Sequence, residues 1–455
     1  MKLLRYLTMP PWQFRKRHFL FFAILVLWPQ CSIGQAIDSF ASKFVVAYQL
    51  ATGSSKRHFA RQIEKLQPSF DSVYSWLAAG RRINPTVRVG FHEINITTKN
   101  GLVHPNVVFV PYNYSPNKRW MVEVFLHGGV RNNNPRQIFS RFNPNDTAWQ
   151  SVSKIVVLPA AWNQSQWIDT SQTENITSLL AYIKRNFNID QNHVSMVGVS
   201  DGAVGIYHFA NKLPTSFSAY VPLIGSMEVL WRISPSQYYL QNYAGQSFFV
   251  VNCRNDNVFD FELASAYVNA LSHVARKVTF FAIDTSGHSL AWYPVLKDTI
   301  DSFLNNTARD PFPDTVMFAV DDSRCYNRKF WVEINQIWKC KKVVEKNLIV
   351  YGGEYYTAFK RFKSFAQIYV RRSGNRVDVE ECGIKKFTLL LSPLEFDFDK
   401  PIDVYIAGHL VYSKMVQKDL RALLYYNQLD DDPELMVGAS ISIKVGAIFN
   451  DQQKP

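Results

Sequence analysis

The chain carries few of the signatures that announce a metalloprotein, a nucleotide-binding protein or a disulfide-stapled scaffold. Five cysteines in 455 residues cannot build a disulfide framework. There is no H-E-x-x-H, no paired C-x-x-C and no P-loop, so no metal and no cofactor is expected. No run of 18 apolar residues occurs, and a stable membrane span is not expected. Gly (20) and Pro (21) follow no fixed period, which excludes a collagen-like chain. Nor is there a repeat of 20–50 residues that would signal a solenoid or propeller. No basic block alternates with aromatics in the manner of a nucleic-acid groove, so no nucleic-acid partner is expected. What remains is a globular composition, 47% hydrophobic and 19% charged, unusually rich in aromatics at 15%.

The formal charge of +13 is unevenly spread. Residues 1–34 hold Lys2, Arg5, Arg15, Lys16 and Arg17 and no acid. The basic run Arg15–Arg17 precedes ten apolar residues, Phe19 to Trp28, and then Pro29 with small Ser32 and Gly34. That order is the signature of a cleaved export signal, so residues 1–34 are expected to be removed and the mature chain to be periplasmic or secreted. An oxidising compartment would permit a bridge among Cys325, Cys340 and Cys382, with the pairing left open and buried free thiols an equal alternative.

Residues 35–84 read as helical, with Phe40, Phe44, Val45 and Tyr48, then Phe70, Val73, Tyr74 and Leu77, near a 3.6 spacing. Over 85–308 short apolar strands alternate with amphipathic helices, the pattern of an α/β domain with a mostly parallel sheet covered on both faces. Strands are expected at Val87–Phe91, Val107–Val110, Met121–Leu126, Ile155–Leu158, Val194–Val197, Ala219–Leu223, Phe248–Asn252 and Val278–Ile283. Residues 309–313, with Pro311 and Pro313, read as a stiff linker. Beyond it, 314–455 shows short β runs separated by turns, a small β-rich accessory domain of sandwich type. Asp430-Asp431-Asp432 reads as a solvated acidic turn rather than a calcium site.

The strongest chemical signal is Gly198-Val199-Ser200-Asp201-Gly202, a G-x-S-x-G pattern between an apolar strand and a helix-compatible segment. A nucleophile elbow needs that strand–turn–helix setting, which exposes the serine at the strand's carboxyl end. A serine hydroxyl also needs a base, and the base a carboxylate to orient it. Asp256 follows the strand Phe248–Asn252 and His288 follows Val278–Ile283, so three loops each supply one member at one sheet edge. Asp260 and Asp284 are rival acids. The amide of Asp201 points to one oxyanion donor, and the turn His127-Gly128-Gly129-Val130 after Met121–Leu126 to others, with Gly129 and Val130 favoured. Trp162 and Trp167, with His127, are candidates for lining the substrate pocket, although core packing is an equal alternative for the two tryptophans. Cys253 reads as a buried spectator thiol.

At these residues the chain resembles the α/β-hydrolase superfamily. More narrowly it is similar to exported esterases of the polyhydroxybutyrate-depolymerase and feruloyl-esterase type, which border on prolyl-oligopeptidase-type hydrolases. Leu126-His127-Gly128-Gly129, the G-x-S-x-G segment, Asp256 and Ser286-Gly287-His288 carry the resemblance, over about residues 85–308. It implies a Ser–His–Asp hydrolase without cofactor, acting on a small or polymeric ester. A serine peptidase uses the same machinery, and a non-catalytic binding protein on the same fold is the alternative from another class.

Overall fold

The computed structural model describes residues 30–81, 83, 86–141, 143–234, 236–338, 340, 348–357 and 365–445. The apolar stretch Phe19–Trp28 of the expected export signal lies outside them. Two compact units divide the chain at Arg81 and Arg82.

The first unit is three helices: α1 (Gln30–Leu50), α2 (Gly53–Leu66) and α3 (Phe70–Ala78). The stripe that α1 buries is Ala41, Val45 and Tyr48, which share a core with Ile63 of α2 and with Val73 and Leu77 of α3. Phe40, expected in that stripe, is 50% exposed. At 100° per residue, Ala41, Val45 and Tyr48 fall on one line, and Phe40 falls beside it. Among the described residues no helix is long and apolar enough to cross a membrane.

The second unit is built on an eight-stranded sheet. Its strands are β1 (Gly90–Thr97), β2 (Val103–Val110), β3 (Trp120–Leu126), β4 (Ile155–Pro159), β5 (Ile189–Val199), β6 (Ala219–Leu223), β7 (Ser247–Cys253) and β8 (Lys277–Ile283). They lie in the order β1-β2-β4-β3-β5-β6-β7-β8. Only β2 runs against the other seven. Helices α4 (Thr170–Asn186), α5 (Asp201–Lys212), α6 (Glu228–Ile233), α7 (Phe261–Ser272) and α8 (Tyr293–Asn305) alternate with the strands. Strands β4, β6 and β7 are buried along their whole length, as a sheet covered on both faces requires. This is an α/β-hydrolase fold. The first strand begins later than expected, at Gly90, because its register is fixed by antiparallel pairing to β2 from Gly90↔Val110 to Thr97↔Val103.

After the sheet come two further sheets with a common core. One orders its strands His409–Lys414, Ile402–Ile406, Arg376–Cys382, Ala366–Ser373 and Thr315–Val320; the other, Arg328–Lys329, Val332–Ile337, Ile384–Leu391 and Ala439–Lys444. Their alternate residues, among them Phe318, Val370, Val379 and Val404 from the first and Ile334, Leu389 and Ile441 from the second, meet in one apolar layer. Cys340 and Cys382 form a disulfide with Cα atoms 5.1 Å apart, while Cys325 is exposed and Cys253 buried.

This β-rich part is bound to the hydrolase sheet by buried polar groups. Asn242 donates its amide to Ala319 O (3.1 Å) and accepts from Ala319 N (2.9 Å), satisfying the open edge of Thr315–Val320. Lys329, buried, donates to the carbonyls of Asn242, Ala244 and Met317 at 2.8–3.0 Å, and burial pulls its pKa down to about 7. A hairpin, Leu348–Tyr351 with Glu354–Thr357, packs on α7, and Ile349 enters the hydrolase core. In the segment read as a linker, Arg309 is almost fully buried. It donates to Asn192 Oδ1, to Thr215 O at 3.1 Å and to Asp432 Oδ2 at 2.8 Å. Asp432 also faces Lys184 Nζ at 3.7 Å. Burial alone would raise the Asp432 carboxyl, but the two cations hold it below the ordinary value. The acidic run is therefore not a solvated turn: Asp430 pairs with Arg328 and Asp432 is 1% exposed.

Arg309→Ala leaves Asp432 buried with one of its two cations removed, and should cost about 3–5 kcal/mol in urea unfolding; a loss under about 1 kcal/mol would show that the pair is not a stabilising contact. His208 is buried between Thr173 Oγ1 (2.9 Å) and Tyr238 OH (2.8 Å), and burial, aided by Lys212, lowers its pKa to about 3. His104, also buried, is lowered to about 4. Unfolded histidines titrate near 6.5. Below that pH the unfolded chain binds protons that these two sites refuse, so stability should fall as pH drops from about 6.5 towards 4. His208→Gln should flatten the fall in denaturation midpoints between about pH 7 and 4.5, and an unchanged slope would refute the assignment.

Candidate active site

The site begins with a backbone constraint. Strand β5 ends at Val199 and α5 starts at Asp201, so the chain reverses at Ser200, which sits at φ 56°, ψ −117°. A side chain rarely accepts that conformation, and it persists only where its surroundings fix it. Here a Cβ at Gly202 would overlap Leu126 O, and one at Gly198 would stand 2.5 Å from Gly202 O. Both glycines are required because the backbones of β3, β5 and α5 meet with no room between them. Ser200 N donates to Leu223 O at 2.9 Å, tying the elbow to the end of β6.

Three sequence-predicted residues meet there. Ser200 Oγ lies 2.9 Å from His288 Nε2, and His288 Nδ1 lies 2.9 Å from Asp256 Oδ2. A carboxylate can only accept, so Nδ1 carries the proton and Nε2 is left to accept from the serine hydroxyl. Asp256 is almost fully buried, and its other oxygen accepts from the amides of Val258 (2.8 Å) and Phe259 (3.1 Å). Those bonds fix the carboxylate before the imidazole approaches. The histidine loop is tied to the acid loop by Gly287 N, which donates to Asn255 Oδ1 at 3.0 Å. Ser286, at φ 102°, makes the turn into His288. Neither rival acid reaches the imidazole: Asp260 caps α7 through Leu263 N, and Asp284 pairs with Arg254. Cys253 is buried, and its thiol is pushed up by burial and by Asp256.

The expected pocket lining is not found. His127, Trp162 and Trp167 are 4%, 3% and 2% exposed. His127 and Trp167 brace the turn after β3 from behind, and Trp162 lies against β2. Ala161 N donates to His127 Nε2 (3.0 Å), Trp167 Nε1 donates to His127 O (2.9 Å), and Trp162 packs edge-on against His104. Aromatic bulk after β4 is equally suited to a pocket wall or to a core, and here it fills the core.

The expected oxyanion donors also need revision. Gly129 N (3.0 Å) and Val130 N (3.1 Å) both donate to Asp201 Oδ2, so their hydrogen bonds are already taken. Gly128 of that turn lies against Ser200: a Cβ there would stand 3.0 Å from Ser200 Cβ. Asp201 N, at the first turn of α5, belongs to a helix end whose amides have no intrahelical acceptors. The carboxylate of Asp201 and the amide of Asn255 are the two contributors that sequence reasoning missed; neither residue type at its position signals such a bond. Among the described residues no cluster of His, Cys, Asp or Glu could hold a metal ion.

No known family model matches the chain. Over 125 residues it is 26% identical to a bifunctional acetylxylan esterase/xylanase of Neocallimastix patriciarum, a match that spans 26% of this chain and 17% of that protein. Among solved structures, a thermostable esterase aligns at TM-score 0.39 and 19% identity, covering 48% of this chain and 63% of the other. An esterase of Pyrococcus furiosus aligns at TM-score 0.38 and 14% identity (50% and 99% covered), and a ferulic acid esterase at 0.37 and 15% (48% and 98%).

Proposed function

We propose that the protein is a serine hydrolase that cleaves carboxylic esters. The observation that carries this reading is the continuous relay from Asp256 through His288 to Ser200, with both hydrogen bonds at 2.9 Å. As Ser200 Oγ attacks the ester carbonyl, His288 Nε2 takes its proton, and Asp256 stabilises the imidazolium that results. The oxyanion forms beside the Asp201 amide and the positive end of α5. On collapse, His288 returns the proton to the departing alkoxide, leaving an acyl-serine. Water, deprotonated by the same imidazole, then releases the acid and restores the serine. The acetylxylan esterase match supports esters over amides as substrates.

A fluorophosphonate probe should label the protein at Ser200, and Ser200→Ala should abolish both labelling and ester turnover, with a loss on the order of a million-fold. His288→Ala should be similar, and Asp256→Asn should cost about 10⁴-fold. Labelling that survives in Ser200→Ala would remove the mechanism. Peptide turnover without ester turnover would reassign the substrate class.

We also propose export, with cleavage near Gly34. The basic, apolar and small residues of 1–34 support it, and so does the Cys340–Cys382 disulfide, a bond that persists in oxidising compartments. Mass spectrometry of the exported protein should find a new N-terminus near Gln35; an intact Met1 there would refute it.

A further inference from the structure

The turn after β3 presents two successive amides, Gly129 and Val130, towards one point, and Gly129 reaches that geometry at φ 71°. Consecutive N–H groups converging in this way form an anion-binding concavity. Beside a nucleophilic serine such a concavity would ordinarily await an oxyanion. Here it holds a resident anion, the carboxylate of the residue that follows the nucleophile. Both bonds end on the same oxygen, Asp201 Oδ2, at 3.0 and 3.1 Å.

We propose that Asp201 is a positioning residue whose carboxylate clamps the turn after β3 against the nucleophile. This rests on the serine-hydrolase reading. The turn must be held closely because Gly128 lies directly against Ser200: a Cβ there would stand 3.0 Å from both Ser200 Cβ and Val199 O. The turn has other ties: Trp167 Nε1 donates to His127 O at 2.9 Å, Ala161 N to His127 Nε2 at 3.0 Å and Asn132 N to Val130 O at 3.0 Å. Asn132 Nδ2 donates to Gly129 O at 3.2 Å, and His127 Nδ1 meets Gly128 O at 2.9 Å. What the Asp201 carboxylate adds is a direct bond from two amides of the turn to the residue next to Ser200. Asp201 thus serves the site twice. Its amide faces the developing oxyanion, and its side chain fixes the opposite wall on which the carbonyl is oriented.

The two single variants separate the roles. Asp201→Asn keeps one carbonyl oxygen where Oδ2 stands, able to accept both amides without charge. Asp201→Ala keeps the backbone amide and removes the clamp. On 4-nitrophenyl acetate, Asp201→Ala should lower kcat, and the rate of fluorophosphonate labelling, about 10- to 100-fold with little change in KM, the loss expected when a reacting group is displaced by about 1 Å. Hydrogen exchange of peptides covering residues 126–132 should accelerate. Asp201→Asn should restore both readouts to within a few-fold of the parent. A labelling rate that rises in Asp201→Ala would show that the carboxylate stoppers the site and would overturn the proposal. So would unchanged exchange in Asp201→Ala, or an Asp201→Asn protein that matches Asp201→Ala. Should the parent protein itself neither label nor turn over ester, the hydrolase reading fails, and the exchange measurement alone still decides the clamp.

Discussion

The contact on which the rest depends is the one between backbones at Gly202 and Leu126, where no side-chain atom fits. Because α5 starts pressed against the end of β3, the chain must reverse within a single residue after β5, and Ser200 is forced into a conformation that exposes its hydroxyl. The same closeness brings the turn after β3 within reach of Asp201 and sets Gly128 on the serine. Strain at Ser200, the glycines around it and the crowded turn are one feature. None would be tolerated without the parallel strands β3, β5 and β6, whose registers hold Leu126, Gly198 and Pro222 side by side.

The β-rich part is not an appendage on a flexible tether. Its ties to the hydrolase sheet are buried polar groups whose partners lie on both sides: Arg309 with Asp432, Lys329 with three carbonyls, Asn242 with the edge of a strand. Groups of this kind are costly to separate, since parting them strands a charge or an amide away from water. Ordinary domain interfaces permit relative motion. This one joins the two parts by contacts more typical of a single core. The hairpin that inserts Ile349 beside α7 extends that junction to the helix that follows the Asp256 loop.

Much of this was legible because strands buried on both faces leave continuous apolar runs. The strand Ala219–Leu223 is found at the bounds its sequence suggests. The three residues joined by the relay were legible for a different reason: each follows such a strand within a few positions. Helix Leu420–Asp430 was not legible, since its pattern is short and its start is set by Asp419, which caps it through Arg421 N. The acidic run at Asp430 was misread because composition records charge, while only the fold supplies Arg328, Arg309 and Lys184 from 102 to 246 positions away. The tryptophans after β4 were ambiguous for the same reason. Burial of an aromatic is decided by what packs over it: the turn carrying His127 for Trp167, and His104 of β2 for Trp162.

Two carboxylates near the serine have been given different work by their partners alone. Asp256 accepts from two amides and an imidazole and is shielded from water, so its charge acts on His288. Asp201 accepts from two amides and remains partly exposed, so water screens its charge. For the proposed ester hydrolysis that difference matters, because an unscreened anion beside a developing oxyanion would oppose the reaction. A carboxylate at this position also lies in the first turn of α5, where negative charge contributes about 0.3–1 kcal/mol to the helix. An amide side chain could hold the turn as well but would forgo that gain. The acid at position 201 is thus favoured by the helix it begins, while the geometry of the turn needs only its oxygen.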